Sequence, residues 1–145
     1  MRIRSRFAIA VFGAFALLVG CEMRYRDVSG ETEHKDRVGS NCELLVPLRA
    51  HGVTNEVERD KKTDYISIWD PGFTGPEVTF VVVLEPGTRM RVLTARECTN
   101  CLGALVEYRV DIIPQPVEFA GKPAFLRAES LAQKVRCKSN GTGAA

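Results

Sequence analysis

Cysteine is the residue type whose positions in this chain most directly suggest chemistry. The 145 residues include five cysteines, and Cys98 and Cys101 form a Cys-x-x-Cys motif, while Cys42 and Cys137 stand alone. Such residues can form disulfides, perform thiol–disulfide exchange or bind zinc. A structural zinc site of four cysteines needs two paired motifs. The isolated positions of Cys42 and Cys137 therefore make zinc the weakest of the three interpretations.

The fifth cysteine, Cys21, follows a segment with the layout of a secretion signal. Arg2, Arg4 and Arg6 precede an uncharged, mostly apolar run that ends at Gly20. A basic start followed by a short apolar region is typical of a signal peptide. The run is also shorter than the roughly 20 apolar residues that a membrane-spanning helix needs.

The end of this run, Leu18-Val19-Gly20-Cys21, resembles the lipobox of bacterial lipoproteins. The resemblance implies that residues 1–20 are removed and that lipid attached to Cys21 anchors the chain to a membrane. Position 22 is Glu rather than the Asp that marks inner-membrane retention in enterobacteria. The resemblance therefore favours the outer membrane, with the protein facing the periplasm.

Lipidation of Cys21 leaves four cysteines: Cys42, Cys98, Cys101 and Cys137. An even number in an oxidising compartment predicts two disulfides. We favour Cys98–Cys101 with Cys42–Cys137, because the second pair would join the first and last strands of the domain. The pairing of Cys42 with Cys101 and Cys98 with Cys137 stays open.

A thiol–disulfide redox centre at Cys98 and Cys101 is the main alternative to a structural bridge. In thioredoxin-like proteins the motif precedes a helix, whose N-terminus lowers the thiol pKa. Here Leu102-Gly103-Ala104 leads into another strand-like pattern. The sequence therefore favours a structural disulfide.

The charge balance gives no sign of a nucleic-acid partner. The whole chain has 20 basic and 18 acidic residues, and removal of the signal with its three arginines leaves 17 basic residues. The apparent basicity is thus largely a targeting feature, and no basic patch remains to attract nucleic acid.

No arrangement of residues in the sequence indicates an enzyme. The only two histidines are His34 and His51, and we expect both at the surface. The chain has no Gly-x-Ser-x-Gly elbow, no glycine-rich phosphate loop and no His-x-x-His pair. We therefore predict no catalytic residues, no cofactor and no metal.

The elements that position these residues follow from hydrophobic periodicity. Residues 21–41 are mostly polar and predict a lipidated flexible tether, although Tyr25–Val28 can dock as an edge strand. Residues 42–137 predict a disulfide-tied β domain, and residues 138–145 a disordered tail. Strand-like segments of the domain lie at Leu44–Leu48, Tyr65–Trp69, Glu77–Leu84, Met90–Cys98 and Ala104–Ile113, with weaker ones at Val117–Phe119, Phe125–Leu126 and Glu129–Val135.

These segments predict an all-β fold after an N-terminal signal helix. Five to seven short strands with turns between them favour a small antiparallel barrel or sandwich. The pattern from Val83 to Leu93, with the turn Pro86-Gly87, resembles a strand–turn–strand unit of bacterial Src-homology-3-like barrels.

An aromatic patch is the best candidate for a binding surface. Tyr65, Ser67 and Trp69 would share one strand face, and Phe73 follows just beyond. Tyr and Trp are enriched at binding hot spots, although Trp69 could instead belong to the core. We predict a lipid-anchored, non-enzymatic binding or structural module whose partner is an envelope protein or a cell-wall component. The alternative function is a periplasmic thiol–disulfide protein using Cys98 and Cys101.

Overall fold

The computed structural model describes residues 22–57 and 62–138, and the all-β class is confirmed. The predicted signal peptide, the lipidation site Cys21 and residues 139–145 of the predicted tail lie outside the described residues. The elements, in chain order, are β1 (Tyr25–Asp27), β2 (Asn41–Leu44), β3 (Leu48–Val53), β4 (Tyr65–Ile68), β5 (Val78–Leu84), β6 (Arg89–Cys98), β7 (Val106–Ile113), a 3-10 turn (Val117–Phe119), β8 (Ala124–Arg127), α1 (Ala128–Lys134) and β9 (Val135–Lys138).

Strand β6 organises the sheet. It pairs along its length with β7. On its other edge, β2 pairs with the first residues of β6 and β1 pairs with the last. The strand order is β5-β3-β4-β8-β7-β6-β2-β9, and the sheet is not closed. One pair, β4 with β8, is parallel, so the sheet is mixed and has more strands than predicted. The turn Pro86-Gly87 joins β5 to β6, but β3, β4, β8 and β7 separate these two strands in the sheet.

The core lies on one face of this sheet. In β4, Ile66 and Ile68 are fully buried, and Ser67 between them faces the other side because successive strand residues alternate. Phe119 of the 3-10 turn and Leu131 of α1 pack into the same core. Burying one such large apolar side chain contributes about 1.5–3 kcal/mol relative to leaving it exposed.

The predicted strand at Leu44–Leu48 is divided in two. Strand β2 ends at Leu44 and β3 begins at Leu48, with Leu45 and Val46 exposed between them. Pro47 explains the break, because proline has no N–H to donate to a neighbouring strand.

The C-terminal part corrects two further predictions. Val117–Phe119 is a 3-10 turn, and most of Glu129–Val135 is the helix α1 rather than a strand. Ala, Glu, Leu, Gln and Lys supply most of α1 and favour helix. Lys138, which we predicted as the start of the tail, ends strand β9.

The prediction of a flexible tether is wrong for residues 22–41. Strand β1 pairs with β6, as expected for Tyr25–Val28, and the chain then folds through turns onto the domain. Val28 and Ser40 are buried. His34 is also buried, not solvated, and its Nδ1 lies 2.7 Å from the hydroxyl of Tyr108. A few buried side chains and the β1–β6 pairing thus order a segment whose average composition is polar.

Both favoured disulfides are confirmed. Cys42 and Cys137 face each other directly in the β2–β9 pair, with Cα atoms 4.0 Å apart, so the bond ties the two strands together. Cys98 and Cys101 bridge the loop that joins β6 to β7.

Candidate functional site

Aromatic and arginine side chains cover the outward face of β4, β8 and β6. Phe125 and Arg127 lie two residues apart on β8 and therefore share a face, and Phe125 lies beside Ser67 in the register with β4. These side chains form two stacks, one at each end of β4.

The first stack holds Arg96 between two rings. Its guanidinium carbon lies 3.9 Å from the centre of the Tyr25 ring and 3.4 Å from that of Phe125. Cation–π contacts of this kind stabilise by about 0.5–2 kcal/mol each. Nε and Nη2 of Arg96 donate to Glu107 Oε2 at 3.0 and 2.7 Å, and the Glu107 side chain is almost completely buried. The charge of Arg96 is therefore already neutralised inside the stack.

An open cleft of about 800 Å³ lies beside this stack, and we call it the tyrosine groove. Its aromatic walls are Tyr25, Tyr65 and Phe125, and the Tyr65 ring meets Phe125 edge to face at 6.2 Å. The described residues that line the groove are Glu22, Met23, Tyr25, Asn55, Asp64, Tyr65, Arg96, Pro123 and Phe125.

The groove combines neutral phenols with acidic groups. Burial raises the pKa of Tyr25 and of Tyr65, and the charge of Glu107 raises both pKa values further. Asp64 accepts a hydrogen bond from the backbone N–H of Asn55 at 2.7 Å and, together with Glu22, adds carboxylates to the lining. Because Glu107 neutralises Arg96, the groove offers aromatic surface and excess negative charge, a combination that suits a cation beside an apolar or planar group.

The second stack lies at the opposite end of β4. His51 stacks on Phe73 with ring centres 5.0 Å apart, and Phe73 in turn stacks on Trp69 at 6.2 Å. The Arg127 guanidinium lies 3.6 Å from the centre of the Trp69 ring. Gly72 (φ +79°) lies so close to the His51 ring that a Cβ would come within 2.4 Å of it. This contact holds the loop after β4 against His51.

Several polar atoms in the second stack have no hydrogen-bond partner. They are His51 Nδ1, Trp69 Nε1 and Arg127 Nε, all buried. His51 is 2% exposed, so the prediction of a surface position is wrong for this residue. Burial is the main cause that lowers the pKa of His51; the Ser67 backbone opposes this lowering, and the nearby charge of Arg49 adds to it. The second stack therefore contains a neutral imidazole and borders a small open cleft lined by Arg49, His51 and Phe73, among others.

The structure separates the aromatic residues that we predicted as one surface. Tyr65 lines the tyrosine groove, whereas Trp69 and Phe73 belong to the second stack. Trp69 is half-buried beneath Arg127, on the outward side of the sheet rather than in the core.

Among the described groove residues, the sequence interpretation identifies only Tyr65. The three it misses that form the stack are Tyr25, Arg96 and Phe125. Tyr25 lies in the segment predicted as a tether. Arg96 and Phe125 come from distant parts of the chain, and only the pairing of β6, β7 and β8 brings them together. Simple alternation from the buried Met90 and Val92 would place Arg96 on the inner face of β6. A register irregularity between Val92 and Thr94 reverses the faces, so that Ala95 is buried and Arg96 points outward.

Over residues 22–57 and 62–138, no group of three or more His, Cys, Asp or Glu side chains is placed to hold a metal ion. In the same ranges, no helix is long and apolar enough to cross a membrane. A comparison with known protein families, curated proteins and solved structures finds no match to this chain.

Proposed function

We propose that this chain is a lipid-anchored lipoprotein of the bacterial envelope and that its β domain is a non-enzymatic binding module. The signal layout and the lipobox resemblance support an anchor at Cys21, on the outer membrane and facing the periplasm. The tyrosine groove supports the binding role, because an open aromatic cleft lined by three rings is the kind of surface that binding hot spots use.

The chemistry of the groove favours an envelope protein as the partner. Tyr25, Tyr65 and Phe125 offer ring faces, and Glu22 and Asp64 supply negative charge. A Lys or Arg side chain on an extended segment satisfies both features, through cation–π contact and charge pairing. A cell-wall component is the competing partner.

Photo-crosslinking in living cells tests this proposal. A photoreactive amino acid at Asn55 lies in the groove lining, whereas the same group at Val117 is highly exposed but outside the groove. We expect a discrete crosslinked envelope protein from position 55 and none of that species from position 117. Crosslinking to neither, together with co-sedimentation of the purified protein with peptidoglycan sacculi, would instead support the cell-wall partner.

Two substitutions at Tyr65 test whether the groove is the binding site. Tyr65→Ala removes a groove wall, and we expect about a tenfold loss of crosslinking yield or affinity, the size of a typical hot-spot effect. Tyr65→Phe retains the ring and is expected to retain most binding. Equal binding by both variants and the wild type would contradict the assignment of the groove as the binding site.

The position of the Cys98–Cys101 disulfide supports a structural role over the alternative redox function. The bridge lies in the loop between β6 and β7, and Cys98 is buried. The one α-helix among the described residues, α1, follows β8. It cannot supply the N-terminal dipole that lowers the thiol pKa in thioredoxin-like centres. Thiol trapping in cells tests this role, since a redox protein would present a reduced fraction and a structural bridge would stay oxidised.

A further inference from the structure

The Cys98–Cys101 loop holds the segment that directly follows the predicted lipid anchor. The backbone N–H of Arg24 donates to Asn100 Oδ1 at 2.7 Å, and Asn100 Nδ2 donates to the carbonyl oxygen of Glu22 at 2.8 Å. The backbone N–H and the hydroxyl of Thr99 both donate to the carbonyl oxygen of Arg24, at 2.8 and 3.2 Å. Residues 22–24 are therefore fixed to this loop before β1 begins.

This end of the domain presents apolar side chains to solvent. Leu102 in the loop is 107% exposed, and Met23 in the held segment is 52% exposed. Residues 99–104 carry no charged side chain. In the held segment, exposed Glu22 and Arg24 flank Met23, so charged side chains border the apolar ones. Exposed large apolar side chains with polar residues around them mark surfaces that contact a protein or a membrane.

The course of the chain identifies a membrane as the occupant of this surface. Cys21 directly precedes the first described residue, Glu22, so its Cα lies one step of about 3.8 Å before that of Glu22. A lipid on Cys21 would therefore bring the bilayer to residues 22–24. Because the loop holds residues 22–24, no free linker from Glu22 onward separates the predicted anchor from the domain.

We propose that residues 22–24 and 99–104 form a membrane-docking end, with Met23 and Leu102 inserted among the lipid headgroups. This inference rests on the proposed lipidation of Cys21. It places the mouth of the tyrosine groove, which Glu22 and Met23 line, at the bilayer surface. The groove therefore takes its partner from the layer next to the membrane, such as a segment adjoining a membrane anchor.

Fluorescence quenching by brominated lipid tests the docking end. The lipidated protein is reconstituted into phosphatidylcholine vesicles with brominated acyl chains, in a Trp69→Phe background that removes the native indole. Leu102→Trp places an indole at the docking end. Leu45→Trp is the matched control, because Leu45 is exposed beyond β2, which pairs with the opposite end of β6. We expect quenching at position 102 to exceed that at position 45 by about threefold or more, as for side chains buried in the headgroup region.

Equal quenching at the two positions would overturn the docking proposal. Circular dichroism checks that each variant is folded. A second measurement needs no introduced indole. Amide hydrogen exchange of residues 99–104 is compared between the lipidated native chain on vesicles and the unlipidated domain in solution without detergent. We expect slower exchange on the vesicles. Unchanged exchange would also overturn docking. An unacylated Cys21 would overturn the proposed function and docking together, whereas an acylated Cys21 without quenching would overturn docking alone.

Discussion

Asn100 and Arg24 lie 76 positions apart in the sequence, and the Asn100 side chain accepts a hydrogen bond from the Arg24 backbone N–H at 2.7 Å. The same side chain donates to the Glu22 carbonyl oxygen, so one amide group bridges the start of the described chain and the Cys98–Cys101 loop. This contact links the disulfide, the predicted anchor and the tyrosine groove in one small region.

Asn100→Ala should expose Arg24 to trypsin. Each hydrogen bond contributes about 0.5–1.5 kcal/mol, so loss of both side-chain bonds should raise the cleavage rate after Arg24 about tenfold through local opening. Asn100→Asp is the matched control, because it keeps an acceptor for the Arg24 N–H and loses only the donor to Glu22. We expect an intermediate rate for this variant. Identical rates for all three proteins, measured by mass spectrometry of the digest, would show that Asn100 does not hold the segment.

The two disulfides should differ in their effect on stability. Cys42 and Cys137 are 95 positions apart, and the chain-entropy relation gives about 4–5 kcal/mol for a loop of this length. Cys98 and Cys101 are three positions apart, and the same relation gives about 2 kcal/mol. We expect Cys42→Ala with Cys137→Ala to lower the free energy of unfolding in urea by the larger amount. A larger loss from the Cys98→Ala, Cys101→Ala pair would contradict this ranking.

Glu107→Gln should change the titration of two tyrosines and leave a third unchanged. The charge of Glu107 raises the pKa of Tyr25 and of Tyr65, whereas burial is the main cause of the raised pKa of Tyr108 and Glu107 is not among the charges that act on it. Ultraviolet titration resolved by single Tyr→Phe variants should therefore show lower pKa values for Tyr25 and Tyr65 only. A parallel shift of Tyr108 would indicate a general loosening of the fold instead.

The same variant should also destabilise the domain. Glu107 is almost completely buried and Arg96 is about one-quarter exposed. Removal of one partner from a fully buried pair costs 3–5 kcal/mol, and partial exposure of Arg96 reduces the expected loss to about 2 kcal/mol. Urea unfolding measures this loss, and an unchanged midpoint would rule out a structural contribution from the pair.

His51 should make the domain less stable at mildly acidic pH. Burial lowers its pKa below the ordinary value of 6.5, so the unfolded chain binds a proton more readily than the folded one. The stability is therefore complete above pH 6.5 and falls as the pH drops from 6.5 toward the lowered pKa of the folded state.

His51→Phe is the control for this pH dependence. It keeps a flat ring against Phe73 and removes the titrating group. Unfolding in urea from about pH 8 to about pH 5 should show a loss of stability in the wild type that the variant lacks. Parallel profiles for the two proteins would mean that another group causes the loss.

The sequence predicts the central strands and the cysteine pairing well. β4, β5, β6 and β7 follow from alternating or continuous apolar residues between turn signals. The cysteine pairing follows from the expectation that the domain's first and last strands are adjacent. The strand signals depend on short stretches of chain, and the expectation of two disulfides depends on the number of cysteines.

The remaining features depend on long-range packing. No local sequence pattern predicts the parallel pairing of β4 with β8. Residues 22–41 are polar on average, yet the β1–β6 pairing, the bond from the Val28 N–H to the Ala95 carbonyl oxygen and the His34–Tyr108 contact hold them against β6 and β7. Helix α1 has seven residues, fewer than two full turns, so no clear helical periodicity marks it in the sequence. The tyrosine groove combines residues from β1, β4, β6 and β8, and no segment alone contains its signature.

Mass spectrometry of the N-terminal peptide tests the central claim, that an anchor at Cys21 places this binding domain on the membrane. The protein is purified with detergent from the membranes of its native cells and digested. We predict that the first residue is Cys21, carrying a diacylglyceryl group. A chain that retains Met1, or one that begins at an unmodified Cys21, would contradict the account.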